Sequence, residues 1–220
     1  MRLGAALLCA LAQGCTLFAT FPTARTRLRV LLDKRVAATA RGDAATVAVV
    51  DAKIERFFER DRAIMVTDMT GFTARTKQLG IIPFLAKVRL VYHLAEPIVK
   101  RHGGVWVKID ADDLYVKHDD ANELLAIGRE LLERVRQHDA ETHDDIGLKV
   151  GLGFGPTIEI EKDVYGDSIN TASKLGEDLG REGELLVTEQ LYRHLSADNA
   201  QRCLLADSAR GAQFPFYVCH

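Results

Sequence analysis

The chain has 220 residues, 47% hydrophobic and 27% charged, with 29 basic against 31 acidic side chains for a formal net charge of −2. That composition supports one large globular domain with a core, or a domain plus an appendage, and excludes a mainly disordered polypeptide. The charge balance excludes the broadly basic footprint of a general nucleic-acid binder, and the four cysteines (Cys9, Cys15, Cys203, Cys219), far apart and without a C-x-x-C spacing, read as reduced thiols rather than a disulfide framework or zinc ribbon.

Residues 4–22 carry no charge and approach the length of a membrane span, although alanines, glycines, threonines and Gln13 keep the stretch weakly hydrophobic. Only Arg2 precedes it, whereas Arg25, Arg27, Arg29, Lys34 and Arg35 follow, so a span here would leave the rest of the chain in the cytoplasm. A secretory signal, with Gln13-Gly14-Cys15 resembling a lipoprotein cleavage site, and a buried apolar helix are the other readings. Residues 1–23 therefore form a candidate membrane anchor or N-terminal apolar helix, 24–60 a helical connector, and 61–220 the main domain. Within the connector, two helices break at Arg41-Gly42-Asp43. Asp43 is placed to cap the second, whose Val47, Val50, Ile54, Phe57 and Phe58 share a face.

Beyond Asp61 the pattern alternates. It predicts an apolar strand at Ala63–Thr67, a helix over about 73–101, strand character across Val105–Val116 and an amphipathic helix over 120–138. A strand at Gly147–Phe154 follows, then Thr157–Ile160, a helix over about 168–179, strand Leu185–Val187, helix 188–195 and closing strands near Cys203–Leu205 and Phe214–Val218. The fold class is α+β, a sheet with helices on one face, preceded by the helical segment. Gly151-x-Gly153-x-Gly155 lacks the spacing of a dinucleotide fingerprint and reads as the end of a strand before Pro156.

Three blocks carry chemistry. Asp68-Met69-Thr70-Gly71-Phe72-Thr73 puts a carboxylate at the end of a buried strand, beside backbone N–H groups of a turn that opens a helix. Such a place suits a divalent cation on one side and polyphosphate on the other, although D-x-x-G after a strand is also ordinary turn chemistry. Next, Gly103-Gly104 leads into a strand and the acidic turn Asp110-Ala111-Asp112-Asp113. Acids crowded in a hairpin repel one another unless a cation or solvent relieves them. If Asp112 meets Asp68, the two hard oxygen ligands suit a pair of Mg²⁺ ions. The third block runs from Asp163 to Lys174; Asn170 and Lys174 fall four apart on one helix face, an amide and a cation suited to a ribose and a phosphate.

Together, in this order and with Asp112 following Asp68 by 44 positions, the blocks resemble the catalytic domain of class III adenylate and guanylate cyclases. The family's F-x-D-I-x-G-F-T is answered by Val66–Thr73, its G-G-x-x-x-K-x-x-G-D by Gly103–Asp112, and its D-x-x-G-x-x-V-N-x-A-x-R by Asp163–Lys174. The resemblance covers about residues 60–195 and implies a ferredoxin-like (palm-like) βαββαβ core sheet. It implies that Asp68 and Asp112, with the carbonyl of Met69, hold two divalent cations (Mg²⁺ or Mn²⁺). The amides of Gly71, Phe72 and Thr73, with Lys149 at the position of a phosphate-binding arginine, then cradle the triphosphate, and Asn170 orients the ribose.

Lys108 and Asp163 fall at the two positions that select the base. Adenine presents an acceptor at N1 and a donor at N6, which a lysine and an ionised aspartate complement, so ATP is favoured over GTP and the product is cyclic AMP. The family further implies a head-to-tail homodimer with shared active sites. Three departures accompany these matches: Lys174 stands where the family has its transition-state arginine, Asp110 and Ala111 replace small hairpin residues, and the tail beyond Cys203 is short, with only Arg210 near a usual phosphate lysine. They leave a second reading, a weakly active or inactive nucleotide-binding and dimerisation module with a regulatory role. The expected partners are ATP and a second copy of the chain, with no nucleic acid, in a cytoplasmic domain with candidate anchoring at its N-terminus.

Overall fold

In the computed structural model, residues 23–71, 76–78, 80–160, 163–206 and 211–220 are described. The apolar stretch 4–22 with Cys9 and Cys15, together with Phe72, Thr73 and Arg210, lies outside the described residues. Among the described residues no helix is long and apolar enough to cross a membrane.

The chain opens with a helical hairpin, α1 (Ala24–Ala40) and α2 (Ala44–Phe58). Thr23 caps α1 by accepting from the Thr26 amide, and Asp43 caps α2 by accepting from the Thr46 amide at 3.0 Å, so both helices start where a short polar side chain can satisfy a free N–H. Leu28, Val50 and Ile54 bury against one another, and Phe58 packs with Ile158 and Ile160 of the sheet. Phe57, expected on the same face, lies within the last turn of α2 and is 57% exposed.

The main domain follows with β1 (Glu59–Met69), α3 (Ile81–Arg101), β2 (Val105–Asp110), β3 (Asp113–His118), α4 (Ala121–Thr142), β4 (Leu148–Ile160) and β5 (Asp163–Tyr165). Then come α5 (Asp167–Lys174), a π-helical turn (Leu175–Leu179), β6 (Leu185–Thr188), two short helices α6 (Glu189–Tyr192) and α7 (Ala197–Ala200), β7 (Cys203–Leu205) and β8 (Phe216–Cys219). The sheet runs β2-β3-β1-β4-β6-β8-β7, with β5 paired to β4. Its first four strands, with α3 and α4, make the expected βαββαβ ferredoxin-like unit.

Period-two alternation along β1 decides what lies on each face. Ala63, Met65 and Met69 enter the main core with Phe84, Val91 and Ile98 of α3 and Leu124, Leu125 and Leu131 of α4. Each of these large side chains contributes roughly 1.5–3 kcal/mol on leaving water. Ile64 and Val66 face the other way, onto Ile169 and Ala172 of α5. The two long helices thus share one face, as expected, and the short α5 covers part of the opposite one.

Three further expectations are corrected. Gly151 and Gly153 lie inside one long strand, not at a strand end. A Cβ at Gly151 would sit 2.1 Å from the Ala172 carbonyl oxygen, and one at Gly153 would sit 2.2 Å from that of Ser168. The glycines exist so that α5 can rest directly on the sheet. The predicted helix over 168–179 is α-helical only to Lys174 and then widens into the π turn, a feature that often marks functional sites. The third correction concerns Cys203 and Cys219, expected as reduced thiols. They are directly opposed in the β7–β8 ladder with Cα atoms 4.0 Å apart and are joined as a disulfide. Their separation of 16 residues in sequence says nothing about that register.

Candidate active site

By alternation, Asp68 projects from β1 on the α5 face, next to the β1 terminus. The hairpin joining β2 to β3 is tight, with Asp110 opposite Asp113, and Ala111 takes a left-handed φ of 50°. That turn carries Asp112 back over β1, where its carboxylate accepts from the Met69 amide at 3.3 Å. Two residues along each strand, the Leu114 amide donates to the Thr67 hydroxyl at 3.1 Å, pinning the hairpin to the strand. Oxygens of Asp68, Asp112 and Asp113 consequently lie within 4.8 Å of one another.

This crowding shows in the protonation of the acids. Asp113 is pushed up to about 8, first by burial and then by the charges of Asp112, Glu177 and Asp68. Asp112 is raised by burial, with Asp68 adding to the effect against hydrogen bonds that lower it. Glu177, on the π turn, is raised by burial and by Asp68 and Asp178. One Asp113 oxygen is buried without a hydrogen-bond partner among the described residues. Three hard oxygen donors, close together, mutually repelling and partly unsatisfied, fit divalent cations such as Mg²⁺ or Mn²⁺. Asp113 and Glu177 belong to this environment and were not singled out in the sequence. For Asp113 the signal was present as a third acid in the same turn, whereas Glu177 arrives only through the π turn.

Lys149 sits opposite Asp68 in the β1–β4 ladder, is nearly buried, and forms an ion pair with it. Its ammonium also donates to the Glu177 carbonyl at 2.8 Å. The turn after Met69 is fixed by the Thr70 amide donating to the Gly147 carbonyl at 2.7 Å, and Gly71 there adopts a φ of 77°, which glycine accommodates without strain.

A second cavity, of about 250 Å³, is lined by Lys108, Tyr115, Asp163, Gly166, Asn170 and Ser173, and by none of the three clustered acids. Lys108 donates to Asp163 at 3.0 Å, and its ammonium lies 4.8 Å from the Tyr115 ring centre. Burial lowers the Lys108 pKa, but the Asp163 hydrogen bond and charge outweigh it and leave the pKa raised. The backbone before α5 passes so close to β4 that a Cβ at Gly166 would meet the Pro156 carbonyl oxygen at 2.4 Å. Asn170 stands exposed on this first stretch of α5 and reaches the cavity; Lys174 closes the helix, half-buried, with no hydrogen bond or ion pair among the described residues. Tyr115 was not anticipated. It is 7% exposed and lines the cavity with Ser173, and burial raises its hydroxyl pKa with the Asp113 charge adding to the effect, so it adjoins both regions.

The structure therefore brings Asp68, Met69, Asp112 and Lys149 together in one place and Lys108, Asp163 and Asn170 in another. No family model matches the chain. It is similar to a protein named adenylate cyclase from Streptomyces coelicolor, 31% identical over 121 residues, covering 55% of this chain and 31% of that protein. A second protein of that name, from Streptomyces griseus, is 27% identical over 162 residues, covering 72% and 40% respectively. The chain thus spans less than half the length of these curated relatives. Among solved structures, the catalytic core of a rhodopsin-guanylyl cyclase with converted specificity, bound to ATPαS, superposes with a TM-score of 0.64 at 19% identity, covering 74% of this chain and 96% of that one. An adenylate/guanylate cyclase/hydrolase from Silicibacter pomeroyi gives 0.61 at 23% identity, covering 73% and 95%.

Proposed function

From a chain that carries a domain of the class III nucleotide cyclase fold, with that family's three sequence blocks, we propose an enzyme that converts ATP to 3′,5′-cyclic AMP and pyrophosphate. The observation that carries the reading is the Lys108–Asp163 pair at 3.0 Å inside a cavity that also holds Asn170. A cation and a carboxylate side by side offer the donor and acceptor that an adenine edge requires. The relatives named adenylate cyclase support the same choice.

In the proposed reaction the ribose 3′-hydroxyl attacks the α-phosphorus and pyrophosphate leaves. Asp68, Asp112 and the Met69 carbonyl would hold two divalent cations, with Asp113 as an added carboxylate; when bound, the cations lower the pKa of the hydroxyl and offset the triphosphate charge. Lys149, paired with Asp68 in the absence of ligand, would be free to bind phosphate oxygens when that carboxylate is held by a cation. The amide of Gly71, with those of Phe72 and Thr73, binds the terminal phosphates. Asn170 orients the ribose, and Lys174 places positive charge against the α-phosphate as negative charge develops there.

One chain presents the acids and the base cavity as separate regions, so we infer a head-to-tail homodimer in which each site takes its acids from one subunit and its Lys108, Asp163, Asn170 and Lys174 from the other. Exposed Ile81, Ile82 and Leu85 on α3 and Val105 and Ile109 on β2 supply apolar surface for such a contact. Residues 24–60 would serve as the dimerising or signal-transmitting hairpin and 1–23 as a membrane anchor of a cytoplasmic domain. The second reading, a nucleotide-binding regulatory module, is favoured by Lys174 and by the hold of Lys149 on Asp68.

The test is incubation of residues 24–220 with ATP or GTP and Mn²⁺, with cyclic nucleotide measured by chromatography. Cyclic AMP from the parent and none from Asp68→Ala is the expected result. Mixing Asp68→Ala with Asn170→Ala subunits is expected to restore part of the activity, and absence of rescue would count against shared sites. A folded dimer that binds ATP and makes no product would establish the regulatory reading.

A further inference from the structure

A larger cavity, of about 540 Å³, opens on the other side of the sheet, between α4, the start of β4 and the last residues of the chain. Its walls include the apolar Leu132, Leu148 and Leu185, with Arg129, Arg202 and His220 among its polar residues. Nothing in the proposed cyclase reaction uses it.

Arg129 is the unusual group. Its Nη1 donates to the Asn199 side-chain oxygen at 2.8 Å, which ties α4 to α7. Its Nε and Nη2 are buried and have no hydrogen-bond partner among the described residues. Those two nitrogens form the edge of a guanidinium that grips two oxygens at once. The same chain uses that edge twice elsewhere. Arg35 Nε and Nη2 donate to the two Asp51 oxygens at 2.6 and 3.3 Å, and Arg136 Nε and Nη2 donate to the two Glu133 oxygens at 2.8 and 2.7 Å. At Arg129 the edge is in place and the oxygens are missing.

The surroundings do not supply them. Burial, and after it the charge of Arg202, lower the Arg129 pKa, and no acid acts in the other direction. Of the acids at the cavity margin, Glu133 is engaged by Arg136 and Gln137, Asp139 by the Ile146 amide through both oxygens, and Asp145 in contacts of its own, while Glu182 is exposed to solvent. Two arginines held close together, one with a desolvated and unsatisfied edge, call for an anion. A cavity of this size, apolar along one wall, has room for a small organic molecule behind the charged group.

We propose that this cavity binds a small-molecule oxyanion, a carboxylate or a phosphate, two of whose oxygens accept from the Nε–Nη2 edge of Arg129 while Arg202 contributes charge. The proposal does not depend on the cyclase reading. It adds a ligand site on the α4 face, one residue along β4 from Lys149, which contacts Asp68 on the opposite face.

The test is a titration of the full chain with sodium acetate, inorganic phosphate and, as a control for ionic strength, sodium chloride, followed by ¹H–¹⁵N NMR of the arginine Nε–H groups. The Arg129 resonance is expected to move saturably with acetate, with phosphate or with both, and not with chloride; which of the two acts identifies the ligand chemistry. Arg129→Lys keeps the charge and loses the two-pronged edge. With its folding verified by circular dichroism, it is expected to weaken the effect of the same oxyanion on thermal stability by about tenfold or more, and Arg202→Gln by less. The proposal is overturned if neither oxyanion moves the Arg129 signal up to about 50 mM, if chloride moves it equally, or if Arg129→Lys responds as the parent does. Should that variant fail to fold, the titration of the parent protein decides alone.

Discussion

At the end of β1, three carboxylates are held within 4.8 Å of one another, and one of them is pushed up to about 8. At the cavity beside α5, an opposite pair, Lys108 and Asp163, satisfies itself at 3.0 Å. Both regions lie on the same face of the sheet, and Tyr115 touches on each. The first has its acids crowded by its own backbone, since the β2–β3 turn and the β1 terminus leave them no way apart and Lys149 pairs with Asp68 alone. The second is at rest. A region that stores repulsion gains from whatever cation neutralises it, whereas a region with a formed ion pair must exchange one partner for another and can therefore discriminate between ligands.

The largest way to break that contrast is Asp112→Asn. It removes one ligand charge and one source of repulsion while keeping an acceptor for the Met69 amide. Cyclase activity is expected to fall about 10³-fold or more, and the melting temperature to rise rather than fall. A variant that loses both stability and activity would show that Asp112 is structural.

Lys174→Arg acts at the far end of α5, where the charge is retained and a planar fork is added. A gain of about 10–100-fold in turnover is expected, equivalent to roughly 1–3 kcal/mol of transition-state stabilisation, read from steady-state rates at saturating ATP. Lys108→Glu puts a second acid beside Asp163 and converts the resting pair into a repelling one. The ratio of ATP to GTP turnover is expected to drop by about tenfold, a difference of about 1.4 kcal/mol.

Ala111→Gly sharpens the contrast from the backbone side. The left-handed φ of 50° costs an alanine of the order of 1 kcal/mol, and glycine relieves it, so chemical denaturation is expected to show a gain of about that size. The smallest effect lies outside both regions. His102 joins α3 to α4 through Glu123 at 2.8 Å and Glu130 at 3.1 Å, and the Glu123 hydrogen bond, with Glu130 aiding it against burial, raises its pKa. A group whose folded pKa is raised contributes fully below its unfolded pKa and loses that contribution as pH rises through the folded value. Stability is therefore expected to decline by less than about 1 kcal/mol as pH rises from 6.5, and His102→Gln to flatten that slope.

Much of this was legible along the chain. The apolar run Ala63–Thr67, the two leucine pairs of α4 and the Asp43 cap each follow from local patterning and local hydrogen bonding, so the elements fall near where the pattern puts them. Asp68, Asp112 and Asn170 stand out from their blocks, whereas Lys108 and Asp163 are marked by the family resemblance; the first two meet in the acidic cluster and the other three line one cavity. What local pattern misses is register and close approach. Gly151 and Gly153 look like a strand end until α5 is laid on them, and Cys203 and Cys219 look like distant thiols until β7 and β8 pair.

The sequence by itself determined the α+β element order, which is written in short-range periodicity, and its resemblance to the cyclase family implied the ferredoxin-like core and the polar residues that the proposed chemistry requires. Only the tertiary structure decided that Asp113 and Glu177 crowd the Asp68 carboxylate, that Lys149 is already bound to it, that Tyr115 links the acids to the base cavity, and that Arg129 holds an unpartnered edge above a second cavity. Those four facts are set by which strands neighbour one another and how closely α5, its π turn and α4 approach the sheet. They depend on contacts between residues far apart in the chain, and no local preference encodes them.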